Sequence, residues 1–248
     1  MLGFEPHVIA IIVLAALAFS IMGGATGLGT ALAMIPVMTF VLGIREAVPM
    51  ITVAVTMQSA SRVWFNRKEI DTGVAKWFAI GALPAAVFGA VAFANAPADF
   101  LAQGLGVFLV LVLVYRRTQR YLPARAKFRM SKRGFLGVGI GQGFLSALFG
   151  GAGPFGASFY LSYGLVRNAF VGTMALGMAS INLVKLSVYG SYTLLDQNAV
   201  TLALGIGAVM VFGAYIGGIL IRHISDRVFT LGVELVIFSA AVALLVRS

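Results

Sequence analysis

Hydrophobic residues in this chain fall into eight long blocks, and the two longest blocks constrain its fold most strongly. The blocks cover residues 8–43, 46–63, 77–95, 100–115, 134–166, 168–190, 199–221 and 228–246. Six of them have the length of one membrane-crossing helix, because about 20 helical residues span roughly 30 Å of hydrocarbon. Blocks 8–43 and 134–166 contain 36 and 33 residues, and straight helices of that length would measure about 50 Å. Each is therefore too long for a single crossing.

The composition also indicates a membrane protein, and it excludes several kinds of chemistry. Of 248 residues, 60% are hydrophobic and 10% are charged, whereas soluble domains average about 45–50% and about 25%. The absence of cysteine excludes disulfides, thiolate nucleophiles and cysteine-ligated metals. Two histidines, His7 and His223, are too few for the usual imidazole metal sites. We expect a membrane protein with no catalytic residue, no metal and no cofactor.

Each over-long block carries a glycine cluster near its middle, GGATGLG at 23–29 and GGAGPFG at 150–156. Glycine and proline break helices, so we predict that each block forms two shorter helices that meet at a tip. The alternative is that these glycines serve close helix packing, to which we assign other glycines such as Gly81, Gly89 and Gly213.

Basic residues are concentrated in the connector 116–133, which contains eight of the 18 Lys and Arg residues and no acid. Cytoplasmic loops of membrane proteins concentrate such residues. We therefore attribute the formal net charge of +10 to the orientation of the protein in the membrane. We expect this segment to lie in the cytoplasm and to contact anionic lipid headgroups. A nucleic-acid patch is the alternative, but few aromatic residues interleave the charges. No targeting peptide is expected, because Arg45 is the first basic residue.

The positive-inside rule favours a topology in which both long blocks turn back. If block 134–166 crossed once, Arg167 and the basic turn at 222–227 would both lie outside. If it returns to its starting side, both lie inside. The same rule places the 64–76 loop inside and Arg45 outside. We therefore expect a multi-pass membrane protein with both termini outside.

The two halves of the chain resemble each other weakly but in the same order. Residues 18–35 align with 145–162, 42–48 with 163–169, 56–61 with 177–182, and 87–93 with 211–217. An odd number of crossings per half would invert the second copy. The predicted fold is an all-α membrane protein of two inverted four-segment repeats, 1–115 and 134–248, each with one broken re-entrant block and three spanning helices, joined by the linker 116–133. Inverted repeats with broken helices are typical of secondary transporters with a site near the midplane.

A helix that begins at a tip exposes unpaired N–H groups and the positive end of its dipole, which together bind anions. We therefore predict a small anionic substrate. A cation bound by the opposed carbonyl ends is the alternative, but Glu46 lies at a block boundary, and Glu234 is the one acid that falls inside a predicted span. The predicted substrate-binding residues of the tips are Gly23, Gly24, Thr26, Gly27, Gly29, Thr30, Ser146, Gly150, Gly151, Gly153 and Pro154.

Two repeat-related spans add further polar candidates. Gln58 and Ser59 in one span, and Ser180, Asn182 and Lys185 in the other, are predicted to bind substrate. Interhelical hydrogen bonding is the alternative for the neutral residues, and snorkelling to the interface is the alternative for Lys185.

Three arginines lie near the ends of the predicted spans. Arg62 is interpreted as an interface anchor rather than a ligand. Arg45 and Arg167 occupy equivalent positions after each broken block and either attract anions at the two mouths or are ordinary solvated residues.

At these residues the chain resembles the sulfite exporter TauE/SafE family, also called TSUP transporters. The resemblance is carried by GGATGLG, GGAGPFG, the arginines at 45 and 167 and the basic central segment. It implies efflux or uptake of sulfite, organosulfonates or other organic anions through a duplicated four-segment unit. A thiosulfate-transporting branch that depends on cysteines is disfavoured by their absence here.

The resulting prediction is a transporter that exports a small sulfur-containing oxyanion by alternating access. With a negative interior, each expelled charge gains ~2.3 kcal/mol per 100 mV, so uniport would suffice. An anion channel and a proton-coupled uptake carrier remain alternatives, the latter using Glu234 or His223. A retinal protein built on Lys185 lacks a counter-ion, and no cluster of catalytic residues suggests an enzyme. Whether the chain forms a homo-oligomer is left open.

Overall fold

In the computed structural model, the described residues are 6–23, 30–121, 130–220, 238–239 and 241–243. Several predicted features lie outside this part of the chain: cluster residues 24–29, connector residues 122–129, most of the last hydrophobic block, and both termini. All regular structure among the described residues is helical, and no strand occurs there. The prediction of an all-α protein is confirmed.

Most hydrophobic blocks become long helices, and the second long block is divided. The helix bounds are α1 Pro6–Gly23, α2 Thr30–Leu42, α3 Ile44–Asn66, α4 Thr72–Asn95, α5 Ala98–Tyr121, α6 Phe135–Phe149, α7 Gly153–Tyr163, α8 Arg167–Ser191 and α9 Gln197–Leu220. Helix α5 extends to Tyr121, so the first six residues of the predicted linker are helical. Short 3-10 turns precede α4 and α6.

Four segments of the described chain are long and apolar enough to cross a membrane: Thr72–Asn95, Ala98–Tyr115, Arg167–Ser191 and Gln197–Gly217. His7–Ile21 and Thr30–Leu42 are apolar but shorter. These lengths and compositions are those of a multi-pass membrane protein.

One end of the helix bundle is organised around Asp71. Its side chain accepts a hydrogen bond from the Val74 amide and caps α4. The Tyr163 hydroxyl donates to the same carboxylate at 3.3 Å, and the Lys132 ammonium lies 3.9 Å from it. The Asp71 amide donates to the Thr173 hydroxyl. Helices α4, α6 and α8 therefore begin, and α7 ends, at what we call the Asp71 end.

The opposite end of the bundle is organised around Arg45. Its guanidinium donates to the carbonyls of Ala94, at 3.3 Å, and Ala96, at 2.5 Å. The Asn95 amide donates to the hydroxyl of Tyr192, just after α8. Helix α3 therefore begins, and α4 and α8 end, at what we call the Arg45 end. Helices α3 and α8 pack side by side and run in opposite directions.

Glycines allow α4 and α6 to pack with their backbones in contact. A Cβ added to Gly139 would overlap the carbonyl oxygen of Phe78, and one added to Gly143 would overlap that of Ala82. Gly81 faces the carbonyl of Leu136 in the same way. Small residues permit this approach in membrane helices. The contact fixes α6, and with it the break that follows, against a full-length helix.

Helices α1 and α9 make an equivalent contact. Gly89 of α4 lies against Ala147 of α6, and Gly213 of α9 lies against Ser20 of α1. These four residues are paired by the sequence alignment of the two halves. The two contacts therefore lie at positions that this sequence alignment pairs.

We predict that Gly139→Ala and Gly143→Ala each destabilise the protein, because the added methyl group would force α4 and α6 apart. Overpacking of this kind costs about 1–3 kcal/mol, which would lower the apparent melting temperature of the purified protein.

Gly137→Ala and Gly141→Ala are matched controls on the same helix, where an added Cβ meets nothing within 4 Å. They should be neutral or stabilising, since alanine favours helix by about 1 kcal/mol over glycine. Equal melting temperatures for all four variants would contradict the proposed role of this contact.

Candidate functional site

A small cavity lies between α2, α3, α8 and the break between α6 and α7. Its volume is about 50 Å³, whereas one water molecule needs about 10–15 Å³ on the same measure. The space therefore suits a few water molecules or one small polyatomic ion. The lining residues are Ala31, Leu32, Val55, Gln58, Ser59, Arg62, Ser146, Gly150, Gly151, Gly153, Met174, Ala175, Met178 and Asn182.

Helices α3 and α8 supply the long walls of the cavity. Arg62 lies four positions after Gln58 and three after Ser59, so the three side chains share one side of α3. Asn182 lies on the facing side of α8, which runs antiparallel to α3. The Gln58 carboxamide donates to the Met210 carbonyl at 3.3 Å, which ties α3 to α9. The cavity therefore combines polar side chains from α3 and α8.

Three of the lining side chains have donor and acceptor groups that no described residue uses. Ser59, Ser146 and Asn182 are at most 6% exposed, and within the described part of the chain their side chains make no hydrogen bond. Buried polar groups in proteins are generally satisfied by protein or water. These hydroxyl and amide groups therefore point to a polar occupant of the cavity.

The break between α6 and α7 brings backbone to the same cavity. Gly150 ends α6 in the left-handed conformation, with φ +85°, and α7 begins at Gly153. Glycine adopts this conformation without steric cost. Gly150, Gly151 and Gly153 all line the cavity, so the N-terminus of α7 contributes the positive end of its dipole there.

Buried side chains hold the break in place. The Tyr189 hydroxyl donates to the Ala147 carbonyl at 2.6 Å. The Gln142 amide donates to the Ala152 carbonyl at 3.2 Å. The Ala147 carbonyl lies in the last turn of α6, where helical partners run out, and the Ala152 carbonyl, in the break, also accepts from the Phe155 amide at 3.2 Å. Gln142 was not a sequence candidate, although it lies one turn before Ser146.

Lys185 is completely buried but is not among the lining residues. Its ammonium faces the carbonyl of Gly150 at 3.4 Å, at the C-terminal end of α6. A cation is favourable at that end of a helix dipole. Lys185 therefore does not snorkel; its amino group stands behind the cavity wall, next to the break.

Arg62 was interpreted from the sequence as an interface anchor, but the structure places it in the cavity lining. The sequence contains one indication of this location: Arg62 lies four residues after Gln58, and that spacing puts both side chains on one face of the helix. It is the one charged residue in the described lining, which contains no acid. The electrostatic character of the cavity is positive.

The remaining sequence candidates lie elsewhere in the described structure. Thr30 donates to the Phe19 carbonyl at 3.4 Å, and Ser180 donates to the Leu176 carbonyl at 2.8 Å; neither lines the cavity. Gly23 ends α1, and Pro154 lies in the first turn of α7. Gly24, Thr26, Gly27 and Gly29 lie outside the described residues.

The two predicted mouth residues lie at opposite ends of the bundle. Arg45 is bound to the carbonyls at the end of α4. Arg167 is exposed at the Asp71 end, with φ +50° at the start of α8. The described part of the chain contains no cluster of three or more His, Cys, Asp and Glu residues that could hold a metal.

Long apolar helices around a small cavity with polar lining residues define a multi-pass membrane protein. The chain belongs to the sulfite exporter TauE/SafE family, a family of transporters, whose model matches residues 12–244. The resemblance seen in the sequence is thereby confirmed. Neither a curated protein nor a solved structure matches the chain significantly.

We predict that Tyr189→Phe loosens the break, because it removes a 2.6 Å hydrogen bond and leaves the buried Ala147 carbonyl unsatisfied. The expected loss is about 1–3 kcal/mol, with faster amide hydrogen exchange at 147–153 measured by mass spectrometry.

Tyr192→Phe is the matched control, since that hydroxyl is exposed and makes only a 3.4 Å contact with Asn95. Unchanged exchange at 147–153 in Tyr189→Phe would show that Tyr189 does not support the break.

Proposed function

We propose that the protein exports a small sulfur-containing oxyanion, such as sulfite or an organosulfonate, by alternating access around the cavity. The single observation that carries this proposal is the pairing of a TauE/SafE family match with a buried cavity that has one arginine and no acid in its described lining.

The cavity presents the donors that an oxyanion requires. Each oxygen of such an anion accepts hydrogen bonds, and the lining supplies the guanidinium of Arg62, the amide of Asn182 and two serine hydroxyls. The N-terminus of α7, at Gly153, adds the positive end of its helix dipole, and the amino group of Lys185 lies behind the wall at Gly150. Within an apolar bundle these groups interact with charge more strongly than in water.

The site belongs, in this proposal, to a pair of inverted repeats. The matched contacts of Gly89 with Ala147 and of Gly213 with Ser20 support the repeat. Helix α4 starts at the Asp71 end, whereas α9 starts near Tyr192 at the Arg45 end, which supports the inversion. Contacts of Lys132 and Tyr163 with Asp71 support re-entry of 134–166.

We further propose that the Asp71 end faces the cytoplasm of a cell with an inner membrane. Positive residues favour that side, and the described basic residues near this end are Arg67, Lys68, Lys76, Lys132, Arg133 and Arg167. The membrane potential would then drive export. A divalent anion gains roughly 4–5 kcal/mol per 100 mV, about three orders of magnitude in gradient.

The alternatives are an anion channel and a proton-coupled uptake carrier. The cavity volume of about 50 Å³ favours the carrier over the channel, because that space suits one small ion and is not a wide pore. His223 and Glu234, the residues suggested for proton coupling, lie outside the described residues.

We predict that purified protein in liposomes moves at least one of sulfite, sulfate, thiosulfate, sulfoacetate and isethionate with saturable kinetics. The same anion should raise the melting temperature, since a ligand at 100 times its Kd stabilises by about 2.7 kcal/mol. Dependence of flux on imposed potential, without dependence on a pH gradient, would support uniport.

Absence of both flux and stabilisation for all five anions would refute the proposed function. Large anion currents in planar bilayers would instead identify a channel, and flux that requires an inward proton gradient would identify an uptake carrier.

We predict that Asn182→Asp abolishes this binding, because the isosteric change places a negative charge in the cavity. Like charges in contact cost several kcal/mol, and each 1.4 kcal/mol is tenfold, so affinity should fall roughly a hundredfold or more in titration calorimetry.

Asn95→Asp makes the same chemical change at an exposed position of the Arg45 end and should bind like wild type. Equal affinities for both variants would exclude Asn182 from the binding site.

A further inference from the structure

Arg62 lines two separate spaces in the structure. The first is the buried cavity of about 50 Å³. The second is an open groove of about 510 Å³ between α3 and α9. The groove is lined by Met57, Ser61, Arg62, Phe65, Ala208, Val211, Phe212, Ala214 and Tyr215. Arg62 is the one residue shared by the two described linings.

Arg62 lies where the two faces of α3 that line these spaces meet. Gln58 and Ser59 line only the cavity, whereas Met57, Ser61 and Phe65, spaced four positions apart, line only the groove. Helix α3 ends at Asn66, at the Asp71 end, and the basic residues of the following turn come next. The groove therefore extends, at Phe65, closer to the Asp71 end along this helix than the cavity does.

The groove is accessible from outside the bundle. Phe65 is 77% exposed, Tyr215 66% and Phe212 61%. Its walls are mainly apolar, and the described lining contains no acid. Among the described residues that line the groove, Arg62 alone carries a formal positive charge.

The chemistry of guanidinium suits a residue that an oxyanion must pass. It stays protonated at every relevant pH and presents several N–H donors in a plane, so two anion oxygens can be bound at once. Its long side chain can reach toward either of two adjacent spaces. A lysine keeps the charge but binds as a single point.

We propose that Arg62 is the charge-selecting residue of the access route from the Asp71 end: it attracts an oxyanion within the groove and transfers it to or from the buried cavity. This inference rests on the proposed function and deepens it, because it assigns the route and the residue that selects anions. Arg62 touches the substrate at the transition between the two spaces.

The first test compares flux in liposomes for wild type, Arg62→Lys, Arg62→Gln and Arg67→Gln. Arg62→Gln should reduce the initial rate at least tenfold with an unchanged melting temperature, and Arg62→Lys should recover at least a third of it. Arg67, exposed and 4.3 Å above the Trp64 ring, is the matched control, and its variant should stay within twofold of wild type.

A second test keeps Arg62 in place and uses the absence of cysteine in the chain. Ala208→Cys introduces a thiol into the groove, and Ser162→Cys introduces one at an exposed site of α7. Each is labelled with the anionic reagent methanethiosulfonate ethylsulfonate and with its cationic trimethylammonium analogue. The anionic-to-cationic rate ratio at Ala208→Cys should exceed that at Ser162→Cys at least fivefold.

Adding Arg62→Gln to Ala208→Cys should abolish this excess, and labelling of Ala208→Cys alone should block flux measured after the reagent is removed. An unreactive thiol, a ratio equal to the control, or wild-type flux in Arg62→Gln would overturn the inference while leaving the proposed function standing. If wild type itself neither binds nor moves any anion, the proposed function fails first.

Discussion

The structure depends on how a helix can be interrupted inside an apolar bundle without leaving backbone groups unpaired. Each unsatisfied amide or carbonyl in such surroundings costs several kcal/mol. At the break between α6 and α7 three carbonyls receive side-chain donors from buried residues. The donors and their carbonyls are Gln142 on Ala152, Lys185 on Gly150 and Tyr189 on Ala147. The interruption is stable because α6 and α8 supply these partners.

The same interruption creates the site. Side chains satisfy the carbonyls on one side of the break, while glycine backbone on the other side lines the cavity. Lys185 connects the two functions, since its amino group contacts the carbonyl of Gly150 and Gly150 lines the cavity. The close contact of α4 with α6 holds this arrangement against a helix long enough to cross the membrane. Support of the fold and polarisation of the cavity therefore use the same residues.

Sequence patterns predicted much of the cavity lining, because several of the features that form the candidate site are local in sequence. A glycine cluster in an over-long apolar block marks a break, and Gly150, Gly151 and Gly153 do line the cavity. Two cations lie elsewhere than the sequence suggested: Lys185, predicted to bind substrate, stands behind the wall, and Arg62, interpreted as an interface anchor, lies in it. Hydropathy cannot distinguish a cation in the cavity lining from one behind it, because Lys185 and Arg62 both lie near the end of a span.

The sequence by itself determined the class of the protein, the position of the second break and the family resemblance, because apolar length and glycine clustering act within a single segment. Only the tertiary structure decided which polar side chains meet. Gln58 and Asn182 are more than 100 positions apart, and their meeting depends on the rotation and antiparallel register of α3 against α8. That register is set by contacts between helices distant in sequence, such as those of the loop at Asp71 with α8, and no local pattern encodes it.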